Sequence, residues 1–158
     1  MSSILSMSSY GPARRSTTRP ATAATSFASQ ELVCAVSESR GVSPTVGLAF
    51  VNLYTSEAVL CQTCDNNSYV RTINKIAVFE PTELLFMDTP SAKQTKLFST
   101  IQENIPDLVV TGVDRRYWSD RAGYDYVDKL AFPEELDSIR PALDSHYFAA
   151  CCLGAVSE

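Results

Sequence analysis

The chain has 158 residues, enough for one domain with a substantial core, and 45% of them are apolar against 20% charged, as in ordinary globular proteins. No run nears the roughly 18 consecutive apolar residues of a membrane helix, so no membrane partner is expected. The net charge of −5 is uneven: residues 1–30 carry Arg14, Arg15 and Arg19 with no acid, leaving ten basic and eighteen acidic residues, a net of −8, on 31–158, a balance that repels phosphate and argues against a DNA-gripping domain.

Residues 1–30 are rich in Ser, Thr and Ala, with only Ile4, Leu5, Met7, Tyr10 and Phe27 to bury, and are expected to form a disordered tail. Their arginines and serines imitate a mitochondrial transit peptide, but no amphipathic stripe develops, and Pro12 and Pro20 interrupt the run. Residues 31–158 form the folded domain. Residues 32–37 are a continuous apolar run, the mark of a strand covered on both faces. A turn at 40–44 leads to a strand over 46–54, and a turn at 55–57 to a third over 58–64, giving an antiparallel meander.

The period then changes. Asn67 or Ser68 is placed to cap a helix whose apolar face holds Val70, Ile73, Ile76 and Ala77, and Pro81 bars its continuation. A strand follows over 83–88, then a helix over 94–104 with Leu97, Phe98 and Ile101 on one side, and a fifth strand over 108–113. A helix is predicted over 120–131 with Tyr124, Val127 and Ala131 in register. Pro133 and Pro141 suit first turns, which predicts a short helix after Pro133 and a longer one over 141–154 with Leu143, Tyr147, Ala150 and Cys151 toward the core. A meander followed by right-handed crossovers makes a mixed α/β sheet of strand order 3-2-1-4-5 with flanking helices, the ribonuclease H-like arrangement.

That arrangement raises nuclease chemistry, which needs carboxylates in and near the first strand to bridge two metals. Here the first strand is acid-free, and Glu38, Asp88 and Asp114 read as surface turn residues; a ribonuclease H-like or degenerate nuclease is the alternative reading. Cys61 and Cys64 form a Cys-x-x-Cys pair without the second pair of a zinc site or the helix start of a thioredoxin-like motif. Cys34, Cys151 and Cys152 lie in apolar stretches; with no signal-peptide core, free thiols in a reducing compartment are expected. His146 is the only histidine, and Cys151 falls on another part of the helix surface, so a Cys/His catalytic pair has little support. No P-loop pattern exists. Arg115, Arg116, Tyr117 and Trp118 could stack on bases, but Asp114, Asp120 and Asp125 surround them, which favours a protein-facing surface. No catalytic, cofactor-binding or metal-ligating residue is assigned.

Residues 33–41 (VCAVSESRG) and 47–53 (GLAFVNL) resemble the first two strands of the connector domain, domain II, of MutS homologues. Residues 65–69 (DNNSY), 95–98 (TKLF) and 115–118 (RRYW) are most similar to the meiotic branch of that family, MutS homologue four, and the likeness covers about 32–156. The tail is too short to hold the mismatch-reading domain that precedes the connector in repair proteins, and the meiotic branch lacks that domain too. The chain stops at Glu158, where the family continues into core, lever, clamp and ATPase domains, so the resemblance implies an N-terminal fragment. It implies a non-catalytic connector and interaction module of a DNA-binding ATPase acting in meiotic recombination and crossover formation. The full-length family protein pairs with MutS homologue five, uses ATP and Mg, holds recombination intermediates mainly through domains absent here, and works in the nucleus on meiotic chromosomes.

Overall fold

The computed structural model describes residues 3–7, 31–39 and 42–157. Among these, six strands, β1 (Ser3–Met7), β2 (Leu32–Glu38), β3 (Thr45–Asn52), β4 (Ala58–Cys64), β5 (Glu83–Met87) and β6 (Val109–Val113), form one sheet of order β1-β4-β3-β2-β5-β6. β2, β3 and β4 are an antiparallel meander, while β5 runs parallel to β2 and β6 parallel to β5. Counted from residue 32, this is the expected 3-2-1-4-5 order.

The sixth strand was not expected. Ser3–Met7 pairs antiparallel with β4, from Ser3 opposite Gln62 to Met7 opposite Ala58. The open edge of β4 offers unpaired backbone N–H and C=O groups, which an extended segment satisfies whatever its composition. The tail expectation for residues 1–2 and 8–30, and the turn at Arg40 and Gly41, lie outside the described residues.

The sheet separates two cores. On one face, α1 (Val70–Phe79) and α3 (Lys96–Asn104) cover Cys34, Val36, Val46, Leu48, Phe50 and Cys61 with Ile76, Leu97 and Ile101. Phe79 stacks on Phe50 at 4.2 Å between ring centroids, and Phe98 meets Phe86 edge-on at 4.9 Å. On the other face lie α4 (Asp120–Leu130), α5 (Pro133–Asp144) and α6 (Tyr147–Val156). The sheet under α6 is built from small residues: Ala35, Ala49, Ala58 and Gly47. A Cβ on Gly47 would stand 2.4 Å from the carbonyl carbon of Phe148, and one on Gly123 of α4 would stand 2.2 Å from the carbonyl oxygen of Ala150. Backbone is therefore pressed on backbone along both sides of α6.

Several local expectations are corrected. β3 ends at Asn52 rather than Tyr54, because the Asn52 side-chain oxygen accepts the N–H groups of Tyr54 at 2.9 Å and Thr55 at 3.1 Å and turns the chain. The buried side of α1 is Thr72, Ile73 and Ile76, while Val70 and Ala77 are exposed. The helix expected over 94–104 starts at Lys96, as α3, and a further short helix, α2 (Pro90–Lys93), precedes it; each is started by a threonine, Thr89 and Thr95, whose hydroxyl accepts an N–H of the following turn. Pro141 lies inside α5 instead of opening a helix; it is exposed, in the last turn, where a missing N–H costs only one bond. The break falls at Ser145 and His146. Tyr147 points away from the core, 54% exposed, whereas residues 149–155 are all buried. A helix apolar on all sides gives no periodic signal for its facing.

Candidate functional site: a cleft at the carboxyl ends of the parallel strands

Neither Asn67 nor Ser68 caps α1. Tyr69 stands at the cap position with left-handed backbone (φ 52°), and its side chain makes no cap bond. Asp65, just past β4, reaches forward instead: its carboxylate accepts the N–H and the hydroxyl of Thr72, both at 2.8 Å. Burial works to raise the Asp65 pKa, but the donors from Thr72, Asn66 and Arg71 outweigh it and hold the group below its ordinary value. Three residues earlier, on the opposite face, the Gln62 side-chain oxygen accepts the N–H groups of Phe148 at 2.9 Å and Ala149 at 3.4 Å. Strand β4 and the residue that follows it thus cap a helix on each side of the sheet, an arrangement that sequence spacing along either helix does not reveal.

With α1 fixed, Tyr69 is buried and its hydroxyl donates to Glu38 at 2.9 Å. Glu38 ends β2; its pKa is raised by burial, against the hydrogen bonds from Tyr69 and Thr95. Tyr69 in turn is pushed up to about 12 by burial and by Glu38. These residues wall a cleft of about 750 Å³ with Asn67, Lys96 and Arg115 around the rim and Val36, Phe86 and Met87 deeper in. It opens at the carboxyl ends of β2 and β5, where connections leave the sheet in different directions, the usual place for ligands in open α/β sheets.

The residues singled out from sequence fall in different places. Glu38 lies in the cleft, whereas Asp88 is ion-paired with Lys93 at 2.6 Å and Asp114 accepts the N–H of Arg116 at 3.0 Å to start a 3₁₀ turn over Arg115–Tyr117. Among the described residues no group of three His, Cys, Asp or Glu side chains is placed to hold a metal ion. Cys61 is buried and Cys64 exposed, as the alternation of a strand requires for positions three apart, so the pair does not converge. All five cysteines are free, and burial raises the thiol pKa of Cys34, Cys61, Cys151 and Cys152. His146 is buried, with Nδ1 2.9 Å from the Ser145 hydroxyl.

The basic-aromatic run is divided by function. Trp118 is buried and donates its indole N–H to the Val113 carbonyl at 3.1 Å. Arg116 lies over the Tyr117 ring, 4.6 Å from its centroid, and donates to its hydroxyl at 2.7 Å. Arg115 alone turns to the cleft. Tyr69, Thr95 and Lys96 stood out in sequence only as members of the family-like runs 65–69 and 95–98; only the fold gathers them in one cleft. No helix among the described residues is long and apolar enough to cross a membrane.

Residues 31–118 match the family model for MutS domain II. The chain is 30% identical over 132 residues to MutS protein homolog 4 of Homo sapiens and 31% identical over 129 residues to that of Mus musculus. These alignments take in 82% and 80% of this chain but only 14% and 13% of the relatives. MutS protein homolog 4 of Candida albicans is 38% identical over 80 residues, half of this chain and 10% of the relative. On the meander, the two parallel crossovers and a family match across them, the chain belongs to the MutS family and carries its domain II, the connector.

Proposed function

We propose that this domain is the non-catalytic connector of a MutS protein of the homologue four type, acting in meiotic recombination and crossover formation. The observation that carries the reading is the similarity to MutS protein homolog 4 over four-fifths of the chain, spanning both helical layers. In this reading the rest of a full-length protein supplies the ATP- and Mg-dependent steps, pairing with MutS homologue five, and most of the hold on recombination-intermediate DNA, in the nucleus on meiotic chromosomes.

The packing suits such a role. A connector must pass displacement from one neighbouring domain to another without absorbing it. Asp65 and Gln62 bind α1 and α6 to the same strand, and α6 is pressed between the sheet and α4, so a push on either layer reaches the other. The net charge of −8 on residues 31–158 favours contacts with protein over phosphate.

The test is a chimaera. Residues 31–157 replace the corresponding segment of MutS protein homolog 4 in budding yeast, and crossing-over is scored in genetic intervals. Crossovers well above the level of a strain deleted for that segment are expected. A chimaera that is expressed and pairs normally, yet leaves crossing-over at the deletion level, would refute the reading.

A further inference from the structure

Lys96 and Arg115 stand on separate elements and line the same cleft. Among the described residues, the ion pairs are Lys93 with Asp88 and Arg140 with Asp128, so neither cleft cation has an acidic partner. Lys96 is the first residue of α3, where the helix dipole does not favour a positive charge. Glu38, the acid in the same cleft, is a poor counter-ion: the Tyr69 hydroxyl engages it, and burial favours its neutral form. In a domain with an excess of acids elsewhere, two cations without an ion-pair partner among the described residues line one cavity of about 750 Å³, where an anion can meet both.

The remaining wall narrows the class. Glu38 and the exposed amide of Asn67 can accept and donate to hydroxyl groups, and the deeper surface of Val36, Phe86 and Met87 is apolar. The volume falls within the range of small-molecule sites, and the mainly polar lining suits a polar ligand. We propose that the cleft binds a phosphorylated ribose, free or as part of a nucleotide, with the phosphate at Lys96 and Arg115 and sugar hydroxyls at Glu38 and Asn67. This goes beyond the connector role and stands or falls apart from it.

The full chain, isotope-labelled, is titrated by NMR with ribose 5-phosphate, adenosine 5′-monophosphate, ribose and inorganic phosphate. Ribose 5-phosphate is expected to shift cleft resonances and to bind at least tenfold more tightly than either ribose or inorganic phosphate. Tighter binding of the monophosphate than of ribose 5-phosphate identifies a nucleotide as the source, and the reverse a free sugar phosphate. Lys96→Ala with Arg115→Ala, both at exposed positions, should weaken ribose 5-phosphate at least tenfold without lowering the melting temperature. Glu38→Gln should lessen the preference for ribose 5-phosphate over inorganic phosphate. No shifts in the cleft, ribose binding as well as its phosphate, or a double variant that binds like the parent would each overturn the proposal.

Discussion

The hydroxyl of Tyr69 donates to the carboxyl of Glu38 across 2.9 Å, tying the start of α1 to the end of β2. Its removal by Tyr69→Phe leaves the ring packed and the backbone unchanged, so the loss should be that of one hydrogen bond, about 1 kcal/mol. Urea unfolding at neutral pH measures it; a variant as stable as the parent would show that the bond contributes nothing.

The same pair sets two pH windows. The folded pKa of Glu38 is raised, so the folded chain holds that proton longer than the unfolded one, and stability falls as pH rises from the usual glutamate value, about 4.3, through the folded value. Glu38→Gln removes this titration and should match or exceed the parent in stability at pH 7. Tyr69 is raised from 10.0 to about 12, so its share of stability is present below 10 and is lost as pH climbs through that interval. Tyr69→Phe should flatten that alkaline loss in a series of melts; an unaltered slope would contradict the assignment.

Asp65 has the opposite sign. Its folded pKa lies below the unfolded one, so its contribution is present above about 3.9 and disappears as pH falls through the folded value. Asp65→Asn keeps the shape but loses the charge that accepts from Thr72 and should cost about 2 kcal/mol at neutral pH. The deficit relative to the parent should shrink as pH drops below 4. A deficit that is constant with pH would mean that packing, not charge, is responsible.

Gly123→Ala weighs two known effects against each other. In an isolated helix alanine gains about 1 kcal/mol over glycine. Here the new methyl would sit 2.2 Å from the Ala150 carbonyl oxygen, part of a backbone that cannot swing aside. The clash should win, with a net loss of about 2 kcal/mol or more in thermal melts. Gly47→Ala, at 2.4 Å from the Phe148 carbonyl carbon, should behave alike. A gain in melting temperature at position 123 would mean that α4 and α6 can separate freely.

Chelator should leave the melting temperature unchanged, because Cys61 and Cys64 point away from each other and share no ligand set. A drop of several degrees would reveal a metal. Binding of the chain to four-way junction DNA should be weak at physiological salt and fall further as salt rises. Tight binding lost in Arg115→Ala with Arg116→Ala would make the 3₁₀ turn a nucleic-acid contact instead.

Strand positions were legible because their apolar runs are short and bounded by turns, and the parallel pairing of β2, β5 and β6 followed from crossover handedness. The facing of α6 was not legible, since residues 149–155 are buried on every side and leave no polar stripe. Nor was the capping of α1 and α6, which comes from Asp65 and Gln62 outside those helices. At the cleft, Glu38 and Arg115 stood out for their chemistry, but Tyr69, Thr95 and Lys96 join them only after residues up to 77 positions apart are folded together. The strand at Ser3–Met7 was missed because its partner, the open edge of β4, exists only in the folded sheet.

The pressing of α6 onto β3 has a consequence for how the chain is made. Cys152 donates its thiol to the Gly47 carbonyl across a separation of 105 residues. At synthesis rates of roughly 5–20 residues per second, β3 waits on the order of 5–20 s for its cover. During that interval Ala49, Val51 and Leu60 lack this cover on a twisted ribbon while its other helices are being made one after another. Ribosome stalling between α4 and α6 would therefore present a half-clad sheet to the cell, and chaperone crosslinking of nascent chains should peak in that window and vanish once Leu153 has emerged.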